Sequence, residues 1–310
     1  MYENQISEYI NNMIKQDMER EKRIREFQES TYDKNLVKEF QELLNDTSKN
    51  ENDIQKYLEN HTMLIPTPHM LNHQLHFNFF ISKLPLGQRY KTDIVYLTKS
   101  SDSWWVVLME LENQHKKMFK GNHNHAEFSK DFYAAFQQIK DWKSYLTDNK
   151  GEFLKSIDRL RYPLHENKVY FKYVLVIGRN IEKDNFEQRR AALAQEEKYF
   201  GDLRIITYDT LLSYYNQNRR LPLESIVVSP YQGDRFAIKK LPTSKISTSA
   251  FGYLKPDDLY IESSDIEKFR AEDYEIDKWL AGKQLGYNEK YTAEGLAAKS
   301  KNPLMKAILG

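Results

Sequence analysis

The run Trp104-Trp105-Val106-Val107-Leu108-Met109-Glu110-Leu111-Glu112 restricts the fold more than any other segment of the chain. Strand residues alternate sides, so Trp104, Val106, Leu108, Glu110 and Glu112 share one face and Trp105, Val107, Met109 and Leu111 share the other. Both faces are apolar, which places the strand in the interior of a sheet covered on both sides. Two carboxylates end the row. Burying an unpaired carboxylate is strongly unfavourable, so the pair calls for a compensating cation or an exposed position.

The segments around this run supply the rest of a sheet. Gln74 to Ile81 and Tyr90 to Leu97 are β-rich and precede Trp104 to Leu111 as sequential antiparallel strands, the last two joined by the polar hairpin loop Lys99-Ser100-Ser101-Asp102-Ser103. Phe128, Phe132, Ala135, Phe136, Ile139, Trp142 and Leu146 then step in threes and fours, a helix with a broad face to bury. Strands at Tyr170 to Ile177 and Leu203 to Thr207 flank a polar helical stretch from Phe186 to Tyr199, the order of a parallel pair joined by a crossover. Upstream, Leu36, Val37, Phe40, Leu43 and Leu44 mark one helix and Ile54, Tyr57 and Leu58 another. Ser48, three residues before Glu51, has the spacing of a capping box between them.

The expected architecture is α/β, a mixed sheet flanked by helices, with an N-terminal helix and a C-terminal appendage. Residues 1–34 form an amphipathic segment whose Ile6, Ile10, Met13 and Ile14 lie on one helical face, for packing on a partner chain or on its own domain. Residues 35–229 form the α/β domain. Residues 230–310, with Lys239-Lys240, a charged helical stretch from Ser263 to Leu280 and small residues near Ala293 to Leu309, read as an appendage rather than more sheet.

Composition narrows the chemistry. The absence of cysteine excludes disulfides, thiolate metal sites and a cysteine nucleophile, so any metal must be held by oxygen or histidine. No stretch approaches the roughly 18 to 20 apolar residues that cross a bilayer, and the first residues lack an apolar signal core. A soluble cytoplasmic protein with no membrane partner is the expectation. The net charge of +1 decides nothing about nucleic acid; Arg189-Arg190, Arg219-Arg220 and Lys239-Lys240 are local basic pairs, short enough to be solvated surface.

Asp93 sits in Tyr90-Lys91-Thr92-Asp93-Ile94-Val95-Tyr96, where β-propensity disfavours an acid. Antiparallel pairing would bring it beside Glu110, and carboxylates from adjacent strands suit a hard cation such as Mg²⁺. The competing reading leaves Glu110 and Glu112 in solvent at a strand end and pairs Asp93 with Lys91 or Arg89. His115, His123 and His125 lack a recognised metal spacing and read as solvated loop residues. There is no Gly-rich phosphate loop and no nucleophile elbow.

Glu110-Leu111-Glu112, then Met118-Phe119, Gly121, and after Ala126-Glu127-Phe128 the helix with Ala135, Gln138, Asp141 and Trp142, resembles the nuclease domain of the Shedu anti-phage family. Asn52 to Glu59 resembles its opening helix, and Val174 to Arg179 and Ile205 to Asp209 with Leu211-Leu212 its late strands, together about residues 35 to 215.

The resemblance implies a PD-(D/E)XK restriction-endonuclease-like core in which Asp93, Glu110 and Glu112 bind Mg²⁺, with Mn²⁺ able to substitute. It implies Gln138 turned toward the acids or DNA, double-stranded or phage DNA as substrate, and assembly into homo-oligomers such as tetramers. The broader pattern has lysine where this chain has Glu112, which makes Glu112 a further ligand and leaves Lys116 or Lys117 to supply the cation; Lys117 joins the catalytic set. Glu51 is then an extra acid from the first helix or a capping residue, and Arg179 a contact to phosphate or to an acid. The expected activity is that of a metal-dependent DNA endonuclease in anti-phage defence. Two alternatives stand beside it: a DNA-binding or sensing module whose centre Glu112 weakens, and a helical interaction protein with a non-catalytic sheet.

Overall fold

Burial along Ser103–Leu111 follows the two-sided pattern of an interior strand, and the rest of the chain is arranged to cover both sides. The computed structural model describes residues 34–72, 74–121, 126–217, 224–242, 246 and 248–285. In chain order its elements are α1 (Lys34–Asn45), α2 (Glu51–Asn60), β1 (Phe79–Ser82), β2 (Pro85–Leu86), β3 (Tyr90–Lys91), β4 (Ile94–Lys99), β5 (Ser103–Leu111), α3 (Lys130–Asp148) and α4 (Lys150–Ser156). There follow β6 (Lys168–Val176), α5 (Glu187–Phe200), β7 (Leu203–Ile206), α6 (Tyr208–Gln217), β8 (Ile226–Pro230), β9 (Phe236–Lys240), α7 (Ser249–Tyr253), β10 (Leu259–Tyr260), α8 (Ser263–Ala271) and α9 (Ile276–Leu280).

The protein is an α/β structure built on a mixed eight-stranded sheet, ordered β10-β9-β8-β1-β4-β5-β6-β7. β5 lies inside it, antiparallel to β4 and parallel to β6. Its two faces belong to two separate cores. Trp104, Val106 and Leu108 pack with Phe132, Phe136, Ile139 and Trp142 of α3, while Val107, Met109 and Leu111 pack with Phe40 of α1, Ile54 and Leu58 of α2 and Leu211 of α6. The crossover through α5 makes β6 and β7 parallel, as the strand–helix–strand order predicts. Among the described residues no helix is long and apolar enough to cross a membrane.

Three sequence expectations need correction. First, the two early strands are shorter than their β-rich runs: His76–Asn78 is a single 3₁₀ turn with Phe77 and Asn78 at positive φ, and the second run is split into β3 and β4. Asp93 therefore lies in the bend before β4 rather than within a strand. Second, the sheet does not stop near Ser229, because β9 and β10 continue it. These strands are short, and the lysines of β9 interrupt its apolar pattern, which camouflages them as coil. Third, Asn50 and Asp53, not Ser48 and Glu51, form the capping box of α2. The Asn50 side chain accepts the N–H groups of Asn52 and Asp53, and the Asp53 carboxylate accepts the N–H of Asn50. Ser48 donates its hydroxyl to Asp46 instead, and Glu51 is released from capping.

The N-terminal segment 1–33, Arg219-Arg220, and Ala293 to Leu309 lie outside the described residues. The reassigned cap makes a direct prediction. Asn50→Ala should lower unfolding free energy by about 1 kcal/mol, whereas Ser48→Ala should stay within roughly 0.5 kcal/mol, as surface changes do; urea denaturation of both variants separates the two assignments.

Candidate metal centre

The β4–β5 register pairs Ile94 with Met109 and Val95 with Leu108, so the next residues along, Asp93 and Glu110, oppose each other where β4 begins and β5 nears its end. Asp93 is held on every side. Its N–H donates to the Met109 carbonyl at 3.3 Å, and its carbonyl accepts the Lys83 N–H at 3.0 Å and the Gln55 amide at 3.1 Å. One carboxylate oxygen accepts the Leu111 N–H at 2.7 Å and the other the Lys83 ammonium at 2.5 Å. The cation beside Asp93 is thus Lys83, from the corner after β1, and neither Lys91 nor Arg89. Lys83 holds this place with a backbone φ of 55°, unusual for a residue with a side chain.

Glu110 takes a hydrogen bond on Oε1 from the Gln138 amide of α3 at 2.5 Å, and its Oε2 is buried with no hydrogen-bond partner among the described residues. Glu112, just past β5, is fixed through its backbone: its N–H donates to the Val176 carbonyl at 2.9 Å, and its carbonyl accepts the Tyr208 hydroxyl at 2.6 Å. Its side chain is ion-paired with Lys116. Asp93, Glu110 and Glu112 are only 3%, 6% and 5% exposed, so the solvent-exposed strand end does not occur.

Glu51, free of the cap, joins these acids. Burial pushes its carboxyl up to about 7, with the charges of Asp93 and Glu112 adding to the effect. Glu110 is likewise pushed up to about 10, by burial first and then by the charges of Asp93, Glu112 and Glu51. The buried Tyr208 hydroxyl is raised by desolvation first and then by the same four acids. Four carboxylates therefore share one low-dielectric corner, balanced by Lys83 and Lys116.

The other candidate residues fall elsewhere. Lys117 is exposed, and its carbonyl accepts the Ser129 hydroxyl; Lys116 is the lysine on the acids. Gly178, at φ +65°, lets the loop carrying Lys116 approach, since a Cβ there would stand 3.0 Å from the Lys116 carbonyl oxygen. Arg179 grips Asp209 with Nη2 at 2.9 Å and the Leu44 carbonyl with Nη1 at 3.2 Å, an acid contact that ties α1 to the start of α6. Arg189 is buried and donates to the carbonyls of Glu182 and Gly121. His115 is exposed beside the Asp46 carbonyl, and His123 and His125 lie outside the described residues. Sequence reading missed Lys83, Gln55 and Tyr208, each brought in from a distant segment. Only Gln55 carried a signal, lying one helical turn beyond Glu51.

Among the described residues no three carboxylate or imidazole side chains converge as a ready-made metal cage. Mg²⁺ requires only one or two carboxylates and keeps water for its remaining positions. An all-oxygen donor set with an orphaned buried oxygen on Glu110 fits a hard cation, and nothing here suits a thiophilic one.

The family model described as Shedu protein SduA, C-terminal, matches residues 48–212, more than half of the chain. The chain belongs to the Shedu family. Its Shedu segment runs from just before α2 into α6 and includes Glu51, Asp93, Glu110, Glu112 and Gln138, while β8 to β10 lie beyond it. No curated protein matches the chain.

The raised acids fix a pH dependence. A carboxyl with a folded-state value above its unfolded one retains its proton on folding, so its contribution is present below the unfolded value and lost as pH rises through the folded one. In the metal-free protein Glu51 therefore lowers stability between about 4.5 and about 7, and Glu110 continues the loss toward about 10. Thermal melts without divalent cation should show Tm falling from pH 5 to pH 9, and Glu110→Gln should flatten the slope; parallel slopes would refute the assignment.

Proposed function

We propose that this chain is a metal-dependent DNA endonuclease of anti-phage defence, built on a PD-(D/E)XK-type core. The observation that carries the proposal is the facing pair Asp93 and Glu110, with one Glu110 oxygen orphaned and Glu51 and Glu112 beside them in a corner of oxygen donors. The antiparallel β1–β4–β5 unit followed by the parallel β6 and β7 with helices on both faces supports the same reading. Mg²⁺, with Mn²⁺ able to substitute, would supply Lewis acidity toward a phosphodiester in DNA.

The protein's part is to fix oxygens and balance charge. Asp93 and Glu110 would hold the ion. Gln138 occupies Glu110 Oε1 and leaves Oε2 without a partner, the orienting role that outer hydrogen bonds play at metal sites. Glu112 adjusts the site from a backbone tethered by Val176 and Tyr208. Lys116, rather than Lys117, supplies the cation that Glu112 displaces from the common pattern. Double-stranded DNA as substrate and homo-oligomeric assembly, tetramers included, follow from the family resemblance and belong to this proposal.

A second reading, a DNA-binding or sensing module with a weakened centre, is favoured by one feature: lysines already stand on Asp93 and Glu112. Incubation of the purified protein with linear and circular DNA and Mg²⁺ or Mn²⁺ separates the two. Wild type should cleave, and Gln138→Ala should slow cleavage by about 10- to 100-fold. Asp93→Ala and Glu110→Ala should each lose more than that ~100-fold while still retaining DNA at low salt. Cleavage surviving both acid substitutions would discard this centre, and DNA retention by a wild type that never cuts would favour the second reading.

A further inference from the structure

Lys239 lies outside the matched Shedu segment, yet its ammonium begins a line of polar contacts that ends on Asp93. The β8–β9 register pairs Val227 with Lys240 and Val228 with Ile238, so Lys239 is the extra residue of a β-bulge. A bulge leaves its residue out of the ladder and re-aims the side chain. Ile238 packs into the core on the α3 side, while Lys239 reaches past β8 to Ser82 at the end of β1, 3.1 Å from its hydroxyl, and to Glu59 of α2, 2.7 Å from Oε2.

Glu59 is 6% exposed and carries the line inward. Its Oε1 accepts the Ser82 hydroxyl at 2.5 Å and the Gln55 amide at 3.1 Å. The same Gln55 nitrogen donates its second hydrogen to the Asp93 carbonyl at 3.1 Å. Glu51, Gln55 and Glu59 follow at four-residue spacing, one row along α2. Removing the ammonium would leave Glu59 buried without its cation, a costly state that rearrangement of its donors would relieve. Gln55 is the donor it shares with Asp93.

We propose that Lys239 is a positioning residue for the acidic centre, acting through Glu59 and Gln55 on the backbone of Asp93, so that a strand outside the Shedu segment sets the geometry of the acids. The effect on Asp93 stands by itself; its consequence for metal rests on the nuclease reading above. The Lys239 side chain is 43% exposed, so its replacement opens no core cavity.

Hydrogen–deuterium exchange on the metal-free full chain, paired with calorimetric titration of Mn²⁺, tests this in wild type, Lys239→Met, Lys239→Arg and Glu59→Gln. Lys239→Met and Glu59→Gln should speed exchange of the Asp93 and Leu111 amides and weaken Mn²⁺ binding by about 10-fold, the lower end for outer partners of a metal site. Lys239→Arg should keep both within about twofold of wild type. Unchanged exchange at Asp93 and Leu111, or a rise confined to β8 and β9, overturns the proposal, and so does a rise spread through β6 and β7, which would report lost fold. A wild type that takes up no Mn²⁺ overturns the metal reading instead, and the exchange result then decides the positioning of Asp93 alone.

Discussion

Like charge held in an apolar corner is the constraint around which this molecule is organised. β5 is buried on both faces, and that places its terminal carboxylates where water cannot solvate them. Every surrounding element then answers the same demand. The bend before β4 brings a second acid, which takes the Leu111 N–H of β5; α3 brings an amide to Glu110, the loop corners bring two ammonium groups, and the Tyr208 hydroxyl of α6 holds the Glu112 backbone carbonyl. Burial, with the neighbouring acids close by, raises the proton affinity of Glu110 and Glu51.

How much of this was legible in the sequence depended on the range of the interaction. The two faces of β5 follow from alternation alone, because period-two burial is a local property of strands. The meeting of Asp93 with Glu110 follows from one hairpin register, a short-range inference. Gln138 became legible through family resemblance, since helical periodicity places it on α3 but does not aim its amide. Lys83, Tyr208 and Lys239 could not be read because each arrives from a separate segment: a corner after β1, the start of α6, and a bulge in β9. No local pattern encodes those distances. The displaced capping box failed for a different reason. Asn50 with Asp53 and Ser48 with Glu51 satisfy the same spacing with equally competent side chains, and only the point where the chain turns selects between them.

The sheet also exceeds the family segment. β8 to β10 are joined to β1 through a parallel pairing, so the strands past residue 212 are continuous with the ones that carry the acids. A strand paired to the core of a sheet cannot shift without moving its neighbour. The C-terminal strands are therefore mechanically coupled to β1, and through Ser82 and Lys83 to the corner that faces Asp93.

The two kinds of charge at the centre differ in freedom, and that difference bears on how the site works. The anions are immobilised: Asp93 by backbone hydrogen bonds on both its peptide groups and its carboxylate, Glu110 by burial and Gln138, and Glu112 by backbone ties to β6 and α6. The cations sit on long stems, with the Lys83 and Lys116 side chains 33% and 36% exposed. A lysine ammonium can leave a carboxylate by rotating toward water at small cost, whereas the carboxylates have nowhere to go. The lysines thus balance the acids, and under the proposed metal binding they would yield their oxygens without disturbing the backbone. Fixed anions with displaceable cations are a preformed electrostatic site, and the strain at Lys83, a non-glycine residue at positive φ, is what keeps its ammonium within reach of Asp93.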